Sequence, residues 1–463
     1  MGFSSITFLF YFLPVFLILY YAVPARNFVL LGGSLFFYAW GEPIFVGLLV
    51  ILILANYLLA LWIATTNGRR GGSLRMACGV AFNLAILAWF KYAGFVAAQI
   101  GIAFLSANPP HLPLGISFFT FHAISYLIDV KRGDADVQRN PLQLALYISM
   151  FPQLVAGPII RYKNIYHELS ARTVDLDRFA LGVRLFAIGL GQKVLIADVL
   201  ASCADQVFGL SASELTTPTA WLGLLSYTLQ IYFDFSGYSH MAIGLAHMLG
   251  FTFPENFNFP YISRSITEFW RRWHISLSSW FRDYIYIPLG GDRRGRVRTY
   301  FNLWTVFLLC GLWHGASWTF IVWGAYHGAI LVWERTLGRA FLKALWSPFA
   351  HAYAVTAAAL GWVLFRCTSL GHAAFFFKAL MGLGVGASDM NPPERFLTHG
   401  VVAALIVGSL CSTPTLTIVQ GWLAAQRPYL AKSIGSAFAM ILLALAALGV
   451  ANATYSPFIY FRF

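Results

Sequence analysis

TYFNLWTVFLLCGLWHGASWTFIVWGAYHGAILVW, the stretch Thr299–Trp333, holds no acidic residue, no lysine and no arginine, and His314 stands near its middle between Trp313 and Gly315. A run this apolar exceeds the ~18 residues that a membrane-crossing helix needs. An imidazole carried into hydrocarbon must find polar partners or water, so His314 is a candidate functional residue from its setting alone.

Outward from this stretch the composition stays the same. The chain is 59% hydrophobic and 11% charged, far from the roughly 45–50% apolar and 25% charged of soluble domains. Uncharged runs recur at Pro43–Gly68, Met76–Phe90, Tyr92–Ile128, Phe235–Pro254, Trp346–Phe365, Gly400–Gln426 and Ser433–Phe461. The expected fold is therefore all-α and polytopic, with about eleven or twelve membrane segments, some short, broken or re-entrant. No fixed-period repeat or low-complexity linker interrupts it, and residues 1–463 read as one membrane domain. The opening MGFSSITFLFYFLPVFLILYY has neither a basic n-region nor a small-residue cleavage site, and reads as a first helix.

The net charge of +13 is a topology signal here, not the mark of a nucleic-acid partner, because Lys and Arg accumulate on the cytoplasmic side of membrane proteins. Arg26 and the Arg69, Arg70, Arg75 cluster bracket two apolar stretches, which places them inside and the N-terminus outside. Arg427 and Lys432 precede the last helix, so the segment 433–463 is expected to be a final crossing followed by an external tail. Both termini outside require an even number of crossings, and twelve fits.

The five cysteines are dispersed, without CxxC or CxxH spacing, and read as small buried apolar residues with no metal site expected. FPQLVAGPIIRYKN, Phe151–Asn164, sets Gly157–Pro158 in an apolar stretch, where a continuous helix is not expected. YISRSITEFWRRWHISLSSWFRDYIYIPLGGDRRGRVR, Tyr261–Arg298, carries eight arginines against Glu268, Asp283 and Asp292. Ile266, Phe269, Trp270, Trp273, Leu277, Trp280 and Phe281 recur at three- and four-residue steps, which predicts a helix with an aromatic face and a basic face, lying on the cytoplasmic interface. Such a basic face suits anionic lipid, and equally the phosphates of an acyl donor such as coenzyme A or an acidic carrier protein.

ENFNFPYIS (Glu255–Ser263), TEFWRRWHISLSSWFRDYIYIPLGG (Thr267–Gly291) and GLWHGASWTFIVWGAYHG (Gly311–Gly328) resemble the signature blocks of the membrane-bound O-acyltransferases. The resemblance is to their bacterial polysaccharide branch, typified by the alginate O-acetyltransferase membrane subunit. PLGISFFTFHAISYLIDVKRGD (Pro113–Asp134), LVAGPIIRYK (Leu154–Lys163) and YFDFSGYSHMAIG (Tyr232–Gly244) agree with it; His240 departs, standing where many of these acetylases carry Asp.

The resemblance implies helices around a tunnel holding two histidines. His314 in WHG is the deep one, and His274 in WHIS lies nearer the cytoplasmic mouth. A hydroxyl acceptor is a poor nucleophile near neutral pH, and an imidazole can take its proton as it attacks a thioester. His314 is thus the expected base, with His274 positioning the donor or polarising its carbonyl. Arg271, Arg272, Arg282, Trp273, Trp313 and Asp234 are the expected substrate-binding residues, and Arg161 a supporting polar one. His327 is expected to pack or to line the tunnel.

TYSPFIYFRF, Thr454–Phe463, ends the chain with Tyr460 among phenylalanines. It reads as an interfacial aromatic belt or, by likeness to the small subunit that works with the related D-alanyl transferase, as a transient acyl acceptor at Tyr460. The implied activity is transfer of an acetyl group from acetyl-CoA, a substrate and not a bound cofactor, across a bacterial inner membrane onto an exopolysaccharide such as alginate. No GxSxG element is present, so a periplasmic SGNH-like O-acetyltransferase partner is expected to finish the modification. The alternatives are a D-alanyl or lipid acyltransferase of the same family, a transporter, or a scaffold of a secretion complex.

Overall fold

The structure, a computed structural model, describes residues 1–66, 69–155, 157–384 and 391–452, and every element among them is a helix. Among the described residues five helices are long and apolar enough to cross a membrane unaided: Phe45–Ala64, Gly71–Ile100, Leu176–Phe208, Ser347–Arg366 and Pro428–Asn452. A sixth crossing results if His399–Cys411 and Thr415–Gln426, bent by 58° at their junction, count as one. The eleven or twelve apolar segments of the sequence are thus not all single long helices; several are divided into shorter pieces. Tyr92–Ile128, uncharged throughout, is cut by the short helix Ala103–Ala107 and by Gly115, whose left-handed backbone (φ 74°) starts the helix Ile116–Arg132.

The chain gathers into two compact units, Met1–Phe186 with Ser239–Pro254, and Ala187–Tyr238 with Glu255–Phe463. In the first, Phe8, Phe12, Phe16, Phe37 and Phe151 bury an aromatic core, Phe151 meeting Phe12 and Phe16 edge-on at 5.5 and 5.2 Å. Asn56 and Asn83, on two of the long helices, exchange amide hydrogen bonds of 2.9 and 2.8 Å, each satisfying a buried polar group that lipid cannot. The break expected at Gly157–Pro158 is present: the helix Phe151–Leu154 stops and the next begins at Tyr162. The backbone freed there has partners, since the Tyr147 hydroxyl donates to the Ile160 carbonyl at 2.9 Å.

The second unit holds six helices that matter below: α1 (Thr217–Met248, whose last ten residues belong to the first unit), α2 (Ile266–Arg272), α3 (Ile275–Phe281), α4 (Arg296–His314), α5 (Trp318–Arg335) and α6 (Ser347–Arg366). The Thr299–Trp333 run is a helical hairpin of α4 and α5. Its close approach depends on glycine. A Cβ on Gly311 would fall 2.3 Å from the Phe320 carbonyl oxygen, and one on Gly324 would fall 2.3 Å from that of Phe307. His314, mid-run in the sequence, is therefore the last residue of α4, at the hairpin turn, about 27 Å along the helix axis from Arg296.

The basic segment also differs from its expectation. One amphipathic helix does not form over Ile266–Phe281; α2 and α3 are separate, each of seven residues, because His274 between them takes a left-handed conformation with φ 44°. Phe269, Trp270, Trp273, Leu277, Trp280 and Phe281 are buried against protein, while Arg271 and Arg282 stay exposed.

Candidate active site

The N-terminal end of α2 is fixed by chemistry visible in SITE, Ser265–Glu268. The Ser265 hydroxyl accepts from the Glu268 N–H at 3.0 Å, and the Glu268 carboxylate accepts from the Arg264 N–H at 2.9 Å, a variant of the capping box. The carboxylate of Glu334, buried at the end of α5, accepts from the N–H groups of Ile266 (2.6 Å) and Thr267 (2.8 Å), and from the Tyr353 hydroxyl at 3.0 Å. An anion at a helix N-terminus meets its unpaired N–H groups and the positive end of its dipole. Glu334 therefore ties the N-terminal end of α2 to α5.

His274 is fully buried, not at the rim of a basic surface. Its Nδ1 lies 3.0 Å from the Asn256 Oδ1. Phe235 of α1 meets the ring edge-on at 4.5 Å between centroids. Burial pulls this imidazole down from its ordinary value to about 3, which favours the neutral ring.

His314, 4% exposed, is enclosed by rings: Trp313 at 5.0 Å, Trp323 at 5.1 Å, Phe365 of α6 at 5.0 Å and Phe320 at 6.4 Å. Trp313 is also 6.3 Å from His274. Two histidines from separate sequence blocks thus share one tryptophan, and the fold brings together His274, Trp313 and His314. His327 continues the row, with Trp323 between it and His314 (5.0 Å to Trp323) and its Nδ1 accepting from the Trp270 indole at 3.4 Å.

The remaining expected residues lie apart from this pair in kind. Trp273 stacks on Phe269 at 5.5 Å and packs on Trp362 at 4.8 Å, a core position. Arg272 is paired with Glu268 at 2.9 Å and donates to the Asn258 carbonyl at 3.1 Å; Arg282 is paired with its neighbour Asp283 at 2.7 Å. Asp234 is buried and ion-paired at 2.7 Å with Lys193, which also reaches Asp198 at 2.6 Å. Arg161 starts the helix Tyr162–Ser170 in the first unit. Tyr460 lies outside the described residues.

Three residues escaped the sequence reading. Lys193 was visible as a lone cation in the apolar GLGQKVLIADV, and Glu334 as the acid that ends the uncharged run. Asn256 lies in ENFNFPYIS, whose polar residues gave no sign of which would turn inward.

Fold and site first define a class: a multi-pass, all-helical membrane protein in which two buried histidines meet across a tryptophan. The chain belongs to the membrane-bound O-acyltransferase family, whose model matches residues 116–377, and it is an acyltransferase. It is 46% identical over 418 residues to the "Probable alginate O-acetylase AlgI" of Azotobacter vinelandii, covering 88% of this chain and 83% of that protein. It is 42% identical to the protein of the same name from Pseudomonas putida, end to end in both. The "Peptidoglycan O-acetyltransferase" of Helicobacter pylori is 34% identical over all of this chain and 97% of its own.

Proposed function

We propose that this enzyme takes an acetyl group from acetyl-CoA on the cytoplasmic side of a bacterial inner membrane and delivers it outward for O-acetylation of an exopolysaccharide, alginate being the first candidate. The relatives named for alginate acetylation support the substrate, and the meeting of His274 and His314 across Trp313 carries the chemistry. In the transfer step His314 accepts the proton of the acceptor hydroxyl while its oxygen attacks the thioester carbonyl. The C–O bond forms, the C–S bond breaks, and the departing thiolate of coenzyme A takes up a proton. His274 holds the reacting groups in register. The exposed Arg271 and Arg282, with Arg272, supply positive charge for the donor's phosphates.

Tyr460 serves as the outward acceptor in this reading, with both termini periplasmic. A periplasmic SGNH-like transferase then moves the acetyl group onto the polymer. His314→Ala, expressed and inserted at the normal level, is expected to abolish acetyl-ester formation; undiminished esterification would remove His314 from the chemistry. Tyr460→Phe tests the relay separately, because polysaccharide acetylation that persists at full level excludes it.

A further inference from the structure

We infer that Asn256 is a positioning residue that locks His274 in the Nδ1–H tautomer, leaving the Nε2 lone pair as a buried acceptor for an O–H or N–H of the substrate. The inference deepens the proposed site and rests on that reading only for its link to turnover. The orientation of the Asn256 amide is fixed first. The backbone N–H of Ser276 points at the Asn256 side-chain atom nearest His274, at 3.2 Å. A backbone N–H can only donate, so that atom is the carbonyl oxygen Oδ1 and not the amide nitrogen. The Ser276 hydroxyl, 2.9 Å from the same atom, fits this orientation as a second donor.

An oxygen with no hydrogen to give faces His274 Nδ1 at 3.0 Å. Nδ1 must then carry the proton, since two lone pairs at that distance would repel. The competing arrangement has Nδ1 accepting from the Ser276 hydroxyl, but that contact is 3.5 Å and would take the hydroxyl from its 2.9 Å bond to Oδ1. A neutral imidazole protonated at Nδ1 has its lone pair at Nε2. That atom is buried and has no hydrogen-bond partner among the described residues, a state that is unfavourable unless a ligand or water meets it.

The backbone is arranged to the same end. His274 is the N-cap of α3, yet its side chain does not cap the helix. Asn256 performs that task from outside: its carbonyl accepts from Ile275 N–H at 2.9 Å, and its side chain accepts from Ser276 N–H. With capping done elsewhere, and with φ at 44°, the imidazole is released from the helix end and turned towards Phe235 and Trp313. The consequence bears on mechanism. A ring that is neutral and protonated only at Nδ1 cannot donate from Nε2, so His274 does not polarise the thioester carbonyl, the role the family resemblance left open for it. It accepts a hydrogen bond from an O–H or amide N–H of the donor, the proton of the acceptor hydroxyl going to His314.

The test is nitrogen-15 NMR of histidine-labelled full-length protein in lipid nanodiscs. The protein has 11 histidines, so the His274 signals are assigned by their loss in His274→Gln. The expected spectrum has Nδ1 protonated and Nε2 bare. A protonated Nε2 in the native protein overturns the inference, whatever any variant does. In Asn256→Ala the ring is expected to lose its single tautomer and acetyl transfer to fall by roughly 10–10²-fold, within the reach of one acid–base group; retention of the Nδ1–H form there overturns the role of Asn256. Asn256→Asp keeps an oxygen opposite Nδ1 and is expected to keep the Nδ1 proton; its loss there would overturn the role given to that oxygen. Failure of the functional reading looks different: His274→Gln would transfer acetyl normally while the native tautomer stayed as described.

Discussion

His314 and His274 are both buried imidazoles in the same unit, but the chain presents them in different settings. Around His314 the surroundings are faces and edges of Trp313, Trp323, Phe320 and Phe365, carried on a hairpin whose two helices touch at Gly311 and Gly324. His274 instead sits at a break between two short helices and is pinned through Nδ1 by a side chain eighteen residues earlier. Packing fixes where a ring lies; a hydrogen bond also fixes which nitrogen holds the proton. At the His274 corner the place of the proton depends on the orientation of one amide, and at the His314 corner the enclosing rings depend on close packing of the hairpin.

The difference can be broken at either corner. The largest effect is expected from His314→Ala, a loss of about 10²–10⁴-fold in acetyl transfer with unchanged expression, measured with radiolabelled acetyl-CoA and reconstituted protein. Gly311→Ala comes next and should act through stability. Its new Cβ meets a backbone carbonyl, which cannot step aside as a side chain could, so a cost of about 1–3 kcal/mol is expected. A lowered melting temperature in detergent would register it, and an unchanged one would mean that the hairpin approach is looser than described. Arg271→Gln should do least. Its side chain is exposed, so a two- to fivefold rise in KM for acetyl-CoA at about constant kcat is expected, shrinking as salt is added; equal KM values at low salt would place donor docking elsewhere.

What could be read from the sequence divides along the same line. The uncharged run announced the membrane, and WHG and WHIS marked both histidines, because hydropathy and motif are local properties. That the run folds back at Gly315 was less legible. The signal lay in Gly311, Gly315 and Gly324, but a glycine shows a close approach only when its partner is known. The three- and four-residue spacing in Ile266–Phe281 suggested one helix, and His274 at φ 44° broke it. That conformation is sparsely populated for a residue with a Cβ, and the two N–H groups that follow it, of Ile275 and Ser276, are both accepted by Asn256. Neither contact is written in the periodicity of the segment itself. Lys193 with Asp234 and Asp198 makes the same point: each stood alone in apolar sequence, and only folding made them an ion-paired cluster.

The central claim is that His274 and His314 act as one site across Trp313, and a double-mutant cycle on acetyl transfer tests it most directly. Single-turnover rates would be measured for His274→Ala, His314→Ala and the double variant in the same proteoliposomes. Residues that act as a unit are strongly non-additive. The account predicts that the double variant is no slower than His314→Ala by more than about twofold. Two losses that multiply in full would mean independent sites, and would contradict it.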